Sequence, residues 1–182
     1  HGVVPVGGIH LHIVAFDVAH GPDGRWWVIS QRTQSPSGLG YVLHNRLIVS
    51  RLFPDAFREL RVQHIASSYR RLIDTVQQQA ADVALRLGDG AMPRVAFLTP
   101  GPYSETYFEH AYLARYLGLP LVEGADLTAR GERLFLRTVE GLQPVHALLR
   151  RLDDDYCDPL ELRPDSALGV PGLVQVLRAG NL

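Results

Sequence analysis

Two spacings of apolar residues run through the chain. Residues 10–18 and 25–29 are dense in β-branched and apolar side chains, which predicts two strands. Gly21-Pro22-Asp23-Gly24 between them is turn chemistry, so a hairpin over residues 10–32 is expected. A four-residue loop would set His20 opposite Arg25 and Asp17 opposite Val28, placing Asp17 on one face with Ser30 and Arg32. A five-residue loop would break that arrangement. After a loop over residues 34–40, the spacing turns helical. Residues 41–53 form one helix ending before Pro54. Residues 56–87 form the longest, with Leu60, Ile65, Tyr69, Leu72, Val76, Ala80 and Val83 along its apolar side. The Gln77-Gln78-Gln79 run belongs on or near its solvent side.

Residues 88–93 read as a boundary, and the second part opens on a parallel-sheet signature. Residues 94–99 make a short apolar run suited to a buried strand. An amphipathic helix over residues 105–117 follows, with Ser104 as its N-cap and Gly118 as its stop. Residues 119–123 give the next strand and complete a βαβ unit. Residues 127–130 and 134–139 form a hairpin turning at Arg130-Gly131-Glu132. Residues 145–149 return as a buried strand, residues 150–159 are a charged loop, and residues 172–178 a last helix. The fold class is α/β, with domains expected at 1–90 and 91–182.

Composition narrows the functions available. The chain has 182 residues, 46% hydrophobic and 20% charged, a globular balance. A formal net charge of −1 gives no global field for nucleic acid or anionic membrane. No apolar run approaches membrane-spanning length. The single cysteine, Cys157, rules out an internal disulfide and fits a reducing, cytoplasmic setting. All 18 Lys+Arg residues are arginines, so any phosphate held by this segment is held without lysine ammonium groups.

Three clusters carry candidate chemistry. Arg150, Arg151, Asp153, Asp154 and Asp155, with Asp158 beyond, directly follow a buried strand. Ligands of open α/β sheets collect outside the carboxyl ends of strands. Such a cluster suits a zwitterionic substrate, or is a set of mutually neutralising ion pairs. Thr99-Pro100-Gly101-Pro102-Tyr103 forms a strand-to-helix turn in which two prolines remove backbone donors. It is a rigid turn or a substrate loop, and no phosphate cradle of the Walker kind. Asp17 with Ser30, Gln31 and Arg32 offers one carboxylate, a hydroxyl, an amide and a guanidinium, a poor metal set. His10 and His12 alternate onto one strand face without a third ligand in register. Cys157 reads as an inert, partly buried thiol.

In this order, several stretches resemble the circularly permuted type 2 ATP-grasp proteins, which are similar to glutathionylspermidine synthase. They are His12–Asp17, Gly21–Val28, Pro36–Tyr41, Asn45-Arg46, Leu98–Tyr103, Tyr107–His110, Leu121–Gly124, Arg150–Asp155 and Gly169–Leu173. The resemblance implies a permuted ATP-grasp portion over residues 1–90 and a Rossmann-like, three-layer pre-ATP-grasp domain over residues 91–182. It implies an ATP-dependent carboxylate–amine ligase using ATP and Mg2+, with a small-molecule substrate bearing carboxylate and amine groups. Thr99, Gly101, Tyr103, Arg150, Arg151, Asp153, Asp154 and Asp155 would bind substrate, and Ser37, Gly38 and Arg46 nucleotide. Asp17 would be a metal ligand.

The resemblance also implies family chains that continue past the equivalent of Leu182 with a glycine-rich, lysine-containing segment. The expectation is therefore a fragment, inactive alone, whose partners are the rest of its own chain, with room for a homo-oligomer. One departure stands out. Family members usually read Glu-Asp-Asn where this chain has Ser30, Gln31 and Arg32, and the Glu and Asn bind magnesium. Arg32 puts a fixed positive charge at the metal position, which favours a degenerate site. The alternative reading is a non-catalytic relative that binds a peptide-like or amino-acid-like ligand or a partner subunit. A dinucleotide-binding Rossmann protein would need a glycine fingerprint that is missing.

Overall fold

The structure is a computed structural model, and it describes residues 5, 8–90 and 92–182. The chain divides into two compact units, residues 1–36 and 37–182. No helix among the described residues is long and apolar enough to cross a membrane.

In the first unit, β1 (Ala15–His20) and β2 (Trp26–Arg32) pair antiparallel. The first strand starts later than the apolar run suggests. Residues 10–14 lie outside regular structure, so His10 and His12 do not alternate across a strand. The loop has five residues, closed by the Gly21 N–H donating to the Arg25 carbonyl at 2.8 Å, with Gly24 at φ 76°. Asp23 fixes it by accepting from the Arg25 N–H at 3.1 Å and Nε at 2.6 Å. That length moves the pairing by one residue, so His20 faces Trp26 and Val18 faces Val28. A bulge at Ile29 adds a second one-residue shift in the same direction, so Asp17 faces Ser30 and the side-chain face is restored.

The second unit is built around a parallel sheet of β3 (Val95–Leu98), β4 (Leu121–Val122) and β8 (Ala147–Arg150), in the order β4-β3-β8. The central strand is buried on both faces, as its unbroken apolar run requires. Val95 and Phe97 pack towards three helices: α1 (Leu39–Leu52), α3 (Ala66–Arg86) and α4 (Tyr107–Leu117). Ala96 and Leu98 pack the other way, with Leu127, Leu134, Val145 and Val176. These come from an antiparallel meander, β5 (Leu127–Arg130), β6 (Arg133–Thr138) and β7 (Gly141–Val145), and from helix α5 (Leu173–Arg178). Gly131 and Glu132 both take positive φ at the β5–β6 turn, the backbone that suits a two-residue hairpin.

Three expectations are corrected. The helical pattern over residues 56–87 is two helices. The six-residue α2 (Pro54–Glu59) ends where Arg61 turns left-handed at φ 49°, and α3 begins at Ala66. Leu60, counted on the apolar side, is 76% exposed. The strand expected over 145–149 is split: Val145 ends β7 in the meander, and Ala147 opens β8 in the parallel sheet. Buried His146 makes the junction. Its Nδ1 accepts from the Arg94 N–H at 3.0 Å and its Nε2 lies 2.9 Å from Asp89 Oδ2. Finally, the N-cap of α4 is Thr106, not Ser104, which sits in the turn before it.

Candidate functional site

The parallel sheet gathers its chain exits along one edge. The Thr99 N–H donates to the Val122 carbonyl, and the Arg151 N–H donates to the Leu98 carbonyl, each at 2.9 Å. The segments after β3, β4 and β8 therefore leave side by side at the carboxyl ends of the strands. Thr99 and Gly101 follow β3, Glu123 follows β4, and Arg151 follows β8.

Thr99 is buried, and its Oγ1 accepts from the Gly101 N–H at 3.2 Å. The same oxygen lies 2.9 Å from His110 Nδ1. On the other side of that ring, Nε2 lies 3.0 Å from Thr106 Oγ1. A hydroxyl can donate or accept, so both nitrogens of a neutral imidazole are satisfied. Burial, aided by the Arg151 charge and opposed by Glu109, pushes the His110 pKa down to about 4. Gly101 takes φ 97°, and a Cβ there would come within 3.1–3.2 Å of the Glu123 carboxyl group. Glycine thus lets the turn pass beneath that acid.

Glu109 is 0% exposed. Both of its oxygens accept from the Gly38 N–H at 2.9 Å, and Oε1 also accepts from the Gly40 N–H at 3.0 Å. Arg151 is buried too. Burial pulls its pKa down, and Glu109 is the charge that opposes that shift. The side chain of Tyr69 closes the same corner by donating to the Leu39 carbonyl. Its own phenol is raised to about 12, chiefly by burial and also by Glu109.

The other expected residues divide. Gly38 is brought to Glu109, the residue next to His110 and through it to Thr99. Ser37 is exposed beside it. Arg46 lies two turns along α1, donating to the Gln63 carbonyl at 3.3 Å and lying over the Phe57 ring at 6.0 Å. Tyr103 is fully exposed. Arg150 donates to the Leu152 carbonyl at 2.5 Å, and Asp153, Asp154 and Asp155 are exposed around a 3-10 turn. Asp158 turns away from them. It is fully buried and accepts from the N–H groups of Leu160, Gly172 and Val174 at 2.9–3.1 Å, so it closes the loop onto the start of α5. The Cys157 thiol is buried and raised by that burial, in keeping with an inert role.

In the first unit, Asp17 accepts from Ser30 Oγ and, at 2.6 Å, from Arg32. These two bonds hold its carboxyl below the usual range. A guanidinium thus sits where a cation would have to bind, and the donor set does not fit Mg2+. Among the described residues no three His, Cys, Asp or Glu side chains are grouped to hold a metal ion.

The pattern reading missed Glu109, His110 and Glu123. A signal for the first two was available: they stand at the helical spacing of Leu113, Ala114 and Leu117, so two ionisable residues occupy the apolar stripe of α4.

The family model for circularly permuted ATP-grasp type 2 proteins matches residues 1–182. An uncharacterized protein of Mycobacterium tuberculosis (strain ATCC 25618 / H37Rv) is 40% identical over 181 residues, covering 100% of this chain and 32% of that protein. One from Synechocystis sp. is 41% identical over 181 residues, covering 100% of this chain and 36% of its own length. A second uncharacterized protein of the same M. tuberculosis strain is 41% identical over 182 residues, 20% of its length. The chain therefore spans about a third or less of the curated relatives it matches.

Proposed function

Because the chain belongs to the circularly permuted type 2 ATP-grasp family, we propose that it forms the substrate-binding face of an ATP-dependent carboxylate–amine ligase. The observation that carries this reading is the convergence of Thr99, Gly101, Glu123 and Arg151 at the carboxyl ends of the parallel strands. In such a reaction a substrate carboxylate oxygen attacks the γ-phosphorus of ATP and ADP leaves. An amine nitrogen then attacks the acyl carbon and phosphate leaves. Arg150 and Arg151 supply the positive charge that a carboxylate needs, and the Thr99–Tyr103 turn and Asp153–Asp155 bracket the substrate. Ser37, Gly38 and Arg46 face the nucleotide. Residues 1–90 belong to a permuted ATP-grasp domain and residues 91–182 to a Rossmann-like pre-ATP-grasp domain. Further parts of the same protein complete the nucleotide site, and this portion is inactive alone. The setting is cytoplasmic, and a homo-oligomer is compatible with it.

The Asp17–Arg32 ion pair favours a second reading at the metal face. It makes this protein a relative with a degenerate magnesium site, retained to bind an amino-acid-like or peptide-like ligand or a partner subunit. Titration calorimetry of the intact protein with Mg·ATP separates the two, since the ligase reading itself places part of the nucleotide site outside these 182 residues. The degenerate site predicts no saturable magnesium-dependent binding by the wild type, and a gain of binding in Ser30→Glu/Arg32→Asn. Tight Mg·ATP binding by the wild type that Asp17→Ala abolishes would sink the degenerate site and favour an active ligase.

A further inference from the structure

Glu109 and His110 are consecutive, both essentially inaccessible to solvent, and neither takes part in substrate binding as proposed above. They lie in the first turn of α4 and leave it about 100° apart. Glu109 is joined to the Gly38–Gly40 backbone through three N–H contacts. His110 is joined to the Thr99–Thr106 turn through two hydroxyls, and Thr99 passes that link on to the Gly101 N–H. The approach of α1 to α4 is close. A Cβ on Gly40 would come 2.7 Å from Glu109 Cγ and 3.4 Å from the Glu109 carbonyl oxygen. Burying a carboxylate completely is costly where simple packing would do, because an apolar pair of the same volume joins a helix to a turn without desolvating a charge. A buried acid whose bonds all go to one turn, next to a buried imidazole whose bonds all go to another, fixes the two turns against each other.

We infer that Glu109 and His110 are positioning residues that couple the Ser37–Gly40 turn to the Thr99–Tyr103 turn, so that order in one is transmitted to the other through a single turn of α4. The functional meaning, nucleotide side coupled to substrate side, rests on the reading proposed above; the mechanical coupling does not.

Backbone amide exchange, read by NMR, tests it residue by residue. Glu109→Gln keeps the shape and one acceptor oxygen but removes the charge. It is expected to speed exchange of the Gly38 and Gly40 amides by about tenfold, and that of the distant Gly101 amide by about threefold or more. Thr99→Val, milder should Glu109→Gln fold poorly, is expected to do the reverse, speeding Gly101 directly and Gly38 and Gly40 through α4. Thr99→Ser keeps the hydroxyl and is expected to restore wild-type rates at both turns. Acceleration confined to the turn that loses its own bond overturns the coupling. So does equal acceleration of the Leu134 and Val145 amides in the meander, which marks general loosening. Each result stands whether or not Mg·ATP added to the same samples binds, so a failed nucleotide reading and a failed coupling are told apart.

Discussion

His110 shows how one buried side chain sets a pH response. In the unfolded chain its imidazole titrates at 6.5, and in the fold burial lowers this to about 4. The folded state thus prefers the neutral ring. The stabilisation is full above pH 6.5 and is lost as pH falls towards 4, because the unfolded state takes up the proton first. Over that window the loss is about 2–3 kcal/mol. Asp89, held below the ordinary carboxylate range by His146 and Arg133, gives way only at lower pH. Urea unfolding at pH 7 and pH 4.5 should therefore show a drop of about 2 kcal/mol in the wild type. In His110→Gln the protein should be weaker at pH 7, with most of that drop gone. An unchanged slope in the variant would place the titrating group elsewhere. At this scale the residue types were legible and their neighbours were not. The proximity of Asp17 to Ser30 and Arg32 was readable, but it arises from a five-residue loop and a bulge at Ile29, two one-residue shifts that add to an even number and so restore the face. Which side chain supports which turn depends on contacts 69–71 residues apart in the chain, as between Glu109 and Gly38 or Gly40, and no local spacing carries that.

Elements were most readable where a run was buried on both faces or ended in glycine. The central strand β3 and the stop of α4 at Gly118, φ 70°, follow directly from those signals. The long helix was misread because Leu60 and Ile65 extend the periodicity across a real break. Chain reversal there is made by Arg61 in a conformation that costs a side-chain-bearing residue about 1–2 kcal/mol. The turn is held by the Val62 N–H donating to the Phe57 carbonyl at 3.0 Å and by the His64 ring against Phe57 at 5.1 Å. Glycine at this position removes the steric cost but adds freedom to the unfolded chain, a partial offset. Arg61→Gly should therefore raise stability by about 0.5–1 kcal/mol, a rise of about 2 °C in Tm for a chain of this size. Arg61→Val, branched at Cβ, should lower it. A continuous helix over residues 56–87 would instead make Arg61→Gly destabilising by about 1 kcal/mol, as glycine is in any helix interior. The sign of the change in thermal melts decides between them.

At the scale of the whole chain, the apolar core lies on one side of a single boundary. Apart from Pro36 at the boundary itself, every buried apolar side chain among those described falls at or after Leu43, within the unit of residues 37–182. That unit has apolar clusters against both faces of β3. The unit of residues 1–36 has a two-stranded sheet whose second strand is exposed at all seven positions, Trp26 and Trp27 included. Two strands without a covered face are marginal in water, since three or more strands or a packed helix are needed to stabilise a sheet independently. Apolar burial is the main favourable term in folding, so stability should follow the second unit alone. A chain of residues 37–182 should fold cooperatively and melt within about 3 °C of the 182-residue chain, because the loss removes little buried apolar area. Brief proteolysis of the longer chain should cut first within residues 8–36 and leave a resistant product beginning near Ser37. A shorter chain that fails to fold, or a resistant product that retains the hairpin, would mean that residues 1–36 contribute to the core of the second unit. The exposed Trp26, Trp27, Val28 and Ile29 would then be structural before they were functional.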